Sequence, residues 1–199
     1  MLDLLDYRRR VFEIYRVVRE KGDDPATWTW WRGQRDDLFR SHSQSALEAD
    51  QKATFTGLRY YDYDPAFRVV ATINTDIEPE VFMVELDEDG TFRYRRFAQV
   101  SFELPTGAGS LSLFWIMGYG GGLFLPFGDG TNRETTYGAG RYLYDTIKGA
   151  DLGARGGEIV LDFNYAYNPS CVYNYRWVCP LAPPDNKLPF PITAGEMLP

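Results

Sequence analysis

Three groups of residues in this sequence are of types and spacings that could do chemistry. The first runs from Asp129 to Arg141 (DGTNRETTYGAGR). In an extended chain Tyr137 and Arg141 share one face, and Gly138 and Gly140 leave the opposite face bare for a ligand or for the N-terminal helices. A guanidinium beside a phenol suits the grip of a carboxylate or phosphate. Arg141 could equally form a buried pair with Asp162 or Glu196. The second group runs from Leu161 to Cys171 (LDFNYAYNPSC). Asp162 and Asn164 share strand parity, and Asn168 precedes Pro169, which favours an extended or turn conformation. With Tyr167 these residues either satisfy the backbone of an irregular segment or surround a polar cavity. The third group is Cys171 with Cys179, eight residues apart. That spacing leaves three readings open: inert apolar thiols, a disulfide, or a reactive thiol. Arg35 and His42 join the candidates as the two ionisable groups in an otherwise apolar helical stripe.

The scarce residues narrow the chemistry further. His42 is the only histidine and there are two cysteines, so multi-histidine zinc sites and four-thiolate clusters cannot be built from one chain. No metal is expected. No GxxxxGK[ST] loop occurs, and the glycine clusters do not complete GxGxxG ahead of a helix, so no nucleotide cofactor is implied. A net charge of −7 argues against nucleic acid and against a polybasic membrane anchor. The uncharged run from Thr106 to Gly128 is broken by Gly118, Gly120, Gly121, Gly122 and Pro126, and Leu111, Leu113, Trp115 and Met117 alternate within it. It reads as two buried strands around a glycine turn rather than as a membrane span. Met1 to Asp6 carries acids where an export signal would be basic. A cytoplasmic location is the resulting expectation.

These groups must be positioned by regular elements. Leu4, Val11, Tyr15 and Val18 lie on one helical face, ended by Gly22. A second helix from Asp24-Pro25 to about His42 carries the stripe Trp28, Trp31, Arg35, Leu38 and His42. From about Leu58 the period becomes two. Strands are expected over Phe67–Ile73, Phe82–Leu86, Thr91–Arg95, Ala98–Leu104, the glycine-flanked pair, Thr135–Leu143 and Ile159–Phe163, with a hairpin turn at Asp87–Gly90. Half of the 12 prolines fall at Pro180, Pro183, Pro184, Pro189, Pro191 and Pro199, a segment that cannot enter the middle of a sheet. The fold expected is mainly β (α+β): an antiparallel barrel or sandwich with N-terminal helices and a proline-rich C-terminal strap. It is read as one domain, mostly helical over 1–54, antiparallel β over 55–163 and extended over 164–199.

From about Trp31 to Glu196, most of its length, the chain resembles a family of uncharacterised prokaryotic proteins grouped as a domain of unknown function. The resemblance rests on the pattern LDFNxAYNPxCxY, CPxxPPxNxL and AGE, carried here by Leu161–Asn164, Ala166–Pro169, Cys171, Tyr173, Cys179, Pro180, Pro183, Pro184, Asn186, Leu188 and Ala194–Glu196. Upstream, Arg35-Asp36 with Phe39 and His42, Gly57-Leu58, Tyr63-Asp64-Pro65, and Thr136-Tyr137-Gly138 with Gly140-Arg141-Tyr142 fit as well. Ala46 departs from the family pattern, which has proline there. The resemblance implies one folded unit and no activity.

Three function classes follow. The leading one is a small-molecule-binding β-barrel taking an anionic or polar ligand through Arg35, His42, Tyr137, Arg141, Asp162, Asn164, Tyr167 and Asn168. The second is a hydrolase or isomerase using His42 with Asp162 or Cys171. The third is a structural or interaction module. Ligand identity, oligomeric state and the redox state of the cysteines are not legible at this level.

Overall fold

The computed structural model describes residues 1–85 and 90–199. Helix α1 (Leu2–Lys21) ends at Gly22, whose φ of 49° lets its N–H reach the Val18 carbonyl. Asp24 then caps α2 (Pro25–Ser41), its carboxylate accepting the Ala26 N–H at 2.9 Å, with Pro25 at the first helical position. Trp28, Trp31 and Leu38 of the predicted stripe are buried against Ile14, Tyr15 and Val18 of α1. Leu4, assigned to the same face, is exposed, because α1 projects beyond its partner at that end. A short helix α3 (Ala49–Thr54) follows.

Among the described residues eight strands come next: β1 (Arg68–Asn74), β2 (Glu80–Glu85), β3 (Thr91–Leu104), β4 (Gly107–Ile116), β5 (Gly122–Phe127), β6 (Arg141–Asp145), β7 (Ala154–Arg155) and β8 (Glu158–Asp162). They pair antiparallel in the order β6-β5-β4-β3-β1-β8-β7, with β2 beside the first half of β3. The sheet curls into a half-barrel. Glu85 pairs with Thr91, as a hairpin requires; of the predicted turn Gly90 has a φ of 76°, and Asp87, Glu88 and Asp89, with Leu86, lie outside the described residues.

One irregularity decides which side chains face the core. The two strands predicted between Thr91 and Leu104 are a single strand, β3, whose register against β4 shifts between Arg96 and Ala98. The extra residue, Phe97, exchanges the two faces. Ahead of it Tyr94 belongs to the outer cluster with Phe114, Phe124 and Tyr142. Beyond it Ala98 and Val100 join the main core with Leu111, Leu113 and the helices. The main-core face of the first half of β3 therefore carries Arg93 and Arg95.

Two expectations need correction. The strand predicted over Thr135–Leu143 begins only at Arg141. Residues 129–140 form a turn-rich loop knotted by Asp129 and Asn132: Asp129 Oδ1 accepts the Thr131 N–H and hydroxyl, and the Asn132 amide donates to Thr136 Oγ1 and the Tyr137 carbonyl. The bare face at Gly140 is met by the strap and not by the helices. A Cβ there would lie 2.4 Å from the Phe127 carbonyl oxygen and 3.0 Å from Ala182. The tail itself is the expected strap, running as isolated bridges and 3-10 turns along the sheet.

Candidate functional site

Most of the predicted polar residues meet in buried clamps that fasten the strap. Arg141 is fully buried. It donates to Asp129 Oδ2 at 3.0 Å and to the strap carbonyls of Ile192 at 3.0 Å, Glu196 at 3.2 Å and Ala194. Its acidic partner is thus Asp129, not Asp162 or Glu196, because the knotted loop folds Asp129 back over the start of β6. Arg35 makes the second clamp: it donates to Glu196 Oε2 at 2.6 Å and to the Tyr60 hydroxyl at 2.9 Å. The same carboxylate oxygen accepts the Asn168 N–H at 3.0 Å. Burial pushes the Glu196 carboxyl above the ordinary range, against the pull of Arg35, Asn168 and Arg141. Asn168 also donates to the Met197 carbonyl at 2.8 Å, and the Tyr167 ring lies 5.1 Å from the Arg35 guanidinium.

The third clamp centres on Asn164, in a 3-10 turn after β8. Its amide takes the Asp64 N–H at 3.0 Å and returns a bond to the Asp64 carbonyl at 2.9 Å, as a neighbouring strand would. Asp162 Oδ1 accepts from the Asn164 amide at 2.9 Å. Oδ2 has only Arg68, at 3.6 Å. Burial accordingly raises the Asp162 carboxyl to about 6.

His42 fastens the two helices. Its Nε2 lies 3.2 Å from Asp6 Oδ2, its Nδ1 accepts the Gln44 N–H at 3.0 Å, and its ring meets Tyr7 edge-on. Neither Asp162 nor Cys171 is among its hydrogen-bond partners in the described residues. Tyr137 sits in the loop, not on a strand face with Arg141, and its hydroxyl lies 4.0 Å from the Cys171 sulfur. The two thiols are free and half-buried. No cluster of three metal-ligating side chains occurs among the described residues.

Space is distributed differently from charge. Beside Arg35 a cavity between α1 and α2, lined by Tyr7, Tyr15, Leu38 and Phe39 among others, measures about 20 Å³, the size of one water. A larger concavity lies on the main-core face of β3 and β4. It is a groove of about 440 Å³ lined by Arg95, Phe97, Trp115 and Met117. Trp115 continues the parity of Leu111 and Leu113 on β4 and pairs across strands with Arg95 and Leu123. Yet Trp115 is 47% and Met117 44% exposed. The expected buried strand is therefore buried over only part of its length: Leu111 and Leu113 join the main core with residues of α1 and α2, and Trp115 does not. Phe97 meets Trp115 edge-on at 6.4 Å, and Gly121 leaves the Trp115 indole its place, since a Cβ there would lie 2.5 Å from the indole nitrogen. Arg95 has no ion-pair partner among the described residues.

Residues 53–197 match the model of a protein family described as a protein of unknown function, DUF1684. The chain belongs to this family. A solved structure similar to this DUF1684 chain is the solution NMR structure of an uncharacterized protein from gene locus rrnAC0354 of Haloarcula marismortui. It is 35% identical, with 90% of this chain and 97% of that chain covered and a TM-score of 0.62. No curated protein matches. No helix among the described residues is long and apolar enough to cross a membrane. The DUF1684 match takes in the groove, Arg141 with Asp129, and Glu196, while Arg35 and His42 lie ahead of it.

Sequence reasoning named Asp129 only as the start of its loop and not as the partner of Arg141, and it missed the groove. Asp129 carried a signal of its own, an aspartate two residues ahead of a threonine at a glycine turn, which marks an Asx-type turn. The groove carried only a weak one, in that Arg93 and Arg95 alternate on a strand whose neighbour alternates Trp115 and Met117.

Proposed function

We propose that this DUF1684 protein binds a small amphipathic anion at the open mouth of its half-barrel. The groove supports this reading, because it continues the core-facing surface of the sheet past the buried Leu111 and Leu113. Mouths of half-closed barrels are frequent ligand sites, and ligand pockets commonly measure about 300–1,000 Å³. Phe97, Trp115 and Met117 offer an apolar, polarisable wall for a flat or chain-like body. Arg95, which has no ion-pair partner among the described residues, supplies a guanidinium for a carboxylate or phosphate at its edge. In a chain of net charge −7 such a cation is the natural place for an anion to settle. The polar residues first favoured for binding contribute to the shape of the half-barrel instead.

Calorimetric titration with a medium-chain fatty acid and with an aromatic carboxylate tests the proposal. Wild type should bind at least one of them; Trp115→Ala should abolish binding, and Arg95→Met should weaken it by about tenfold or more. Binding that survives both substitutions, or an absence of binding by either class of acid, would overturn the reading and leave an interaction module in its place.

A further inference from the structure

The groove is part of a wider surface. Across β2 and β3, Val81 stands opposite Arg95 and Met83 opposite Arg93. On the other side of β3, Arg95 pairs with Trp115, and the Met117 N–H donates to the Arg93 carbonyl at 2.8 Å. Residues opposite one another in an antiparallel pair share a face. Two arginines therefore stand in a row, with Val81 and Met83 along one flank and Trp115 and Met117 along the other. Val81 is 51% and Met83 66% exposed, and both arginines are exposed as well.

The third arginine of this stretch, Arg96, shows the contrast. It lies on the opposite face and is neutralised there, 3.1 Å from Glu80 and 3.4 Å from Asp185. Arg93, like Arg95, has no ion-pair partner among the described residues. Glu85 shares the face of Arg93, but its carboxylate accepts the Thr91 hydroxyl at 3.0 Å. Alternate residues of a strand are about 7 Å apart, so the two guanidinium groups are neighbouring like charges on long side chains. A single group carrying two negative charges on closely spaced oxygens relieves that repulsion best. A phosphate monoester is such a group, because its second ionisation lies at about 6. A carboxylate brings one charge and two oxygens.

We infer that the ligand of the mouth is a soluble amphipathic phosphate monoester, an inference that rests on the reading of the groove as an anion site. Arg93 and Arg95 hold the phosphate between them, and the apolar body lies along Trp115 and Met117. Val81 and Met83 bound the phosphate on its other side. Arg95 serves any anion in the groove. Arg93, one step further along the strand, is the residue that selects phosphate over carboxylate.

Calorimetric titration at about pH 8, where the phosphate is doubly charged, with decyl phosphate and with decanoate tests this, each ligand kept below the concentration at which it aggregates. Wild type should bind the phosphate about tenfold or more tightly than the carboxylate. Arg93→Met should remove most of that preference while changing decanoate affinity by about twofold or less. Arg93→Lys should keep part of it, since the charge remains without the forked donor. Decanoate binding with no preference for the phosphate, or a preference that survives Arg93→Met, would overturn the inference and leave the anion-binding groove in place. Binding of neither ligand would overturn both. Inorganic phosphate should not bind measurably, because it has no body for the apolar flank, and vesicles containing phosphatidic acid should not sediment the protein. Saturation by inorganic phosphate would overturn the inference in favour of a bare anion site, and capture by vesicles in favour of a membrane surface.

Discussion

The strap and the half-barrel mouth both carry arginines beside aromatic rings, but their electrostatic accounts differ. Around the strap, Arg141 and Arg35 have their donors directed at Asp129, Glu196 and backbone carbonyls. Little of their hydrogen-bonding capacity is left for an outside molecule, and their charges are offset within the fold. At the mouth, Arg95 is exposed and without an ion pair among the described residues, and Trp115 and Met117 leave apolar area in water. Binding draws on interactions that the empty protein has not already made. The comparison separates two placements of the same residue types: closing an irregular chain segment onto a sheet, and standing open at the surface of the sheet.

Arg141→Met offers the strongest attack on this contrast. The substitution leaves Asp129 buried without its cation and removes donors from three strap carbonyls, so it should cost about 3–5 kcal/mol. Urea unfolding measures the loss. A change below about 1 kcal/mol would mean that the strap does not depend on this clamp.

A smaller effect concerns Asp162. Its carboxyl is raised by burial from 3.8 to about 6, so between those values the folded protein holds a proton that the unfolded chain releases. Stability from this group is therefore greatest at low pH and is lost as the pH rises through about 4 to 6, by up to about 3 kcal/mol. Glu196 shifts in the same direction, whereas Asp6, lowered chiefly by its hydrogen bond from His42, acts in the opposite sense. Urea midpoints of wild type and Asp162→Asn at either end of that window isolate the contribution. Wild type should lose more stability than the variant on going from the acid end to neutrality, and parallel curves would refute the assignment.

The smallest effect on stability belongs to the mouth. Trp115→Ala should change the unfolding free energy by about 1 kcal/mol or less, since half of the indole is already in water. A thermal melt decides this. Large destabilisation would show that Trp115 is core, and the contrast between closed clamps and open groove would fail.

The sequence by itself determined the local periods. Val11, Tyr15 and Val18 on one helix, Trp28, Trp31 and Leu38 on the next, and the alternation through β1, β4 and β8 all follow from side-chain geometry that repeats every few residues. The proline strap was legible for the same reason, since a missing N–H is a property of the residue alone. Which partner each charge took was decided only by the tertiary structure. Arg141 was within reach of Asp162, Glu196 or Asp129 as far as chain order could tell, and the knotted loop after β5 selected the third. The faces of β3 depend on one extra residue at Phe97, a register shift that exists only against β4. Trp115 reads as core from its alternation, yet it is exposed, because the core that Leu111 and Leu113 share with residues of the two N-terminal helices does not extend to it. Periodicity reports which side of an element a residue occupies; whether anything covers that side is set by contacts between distant segments, and no short-range pattern encodes them.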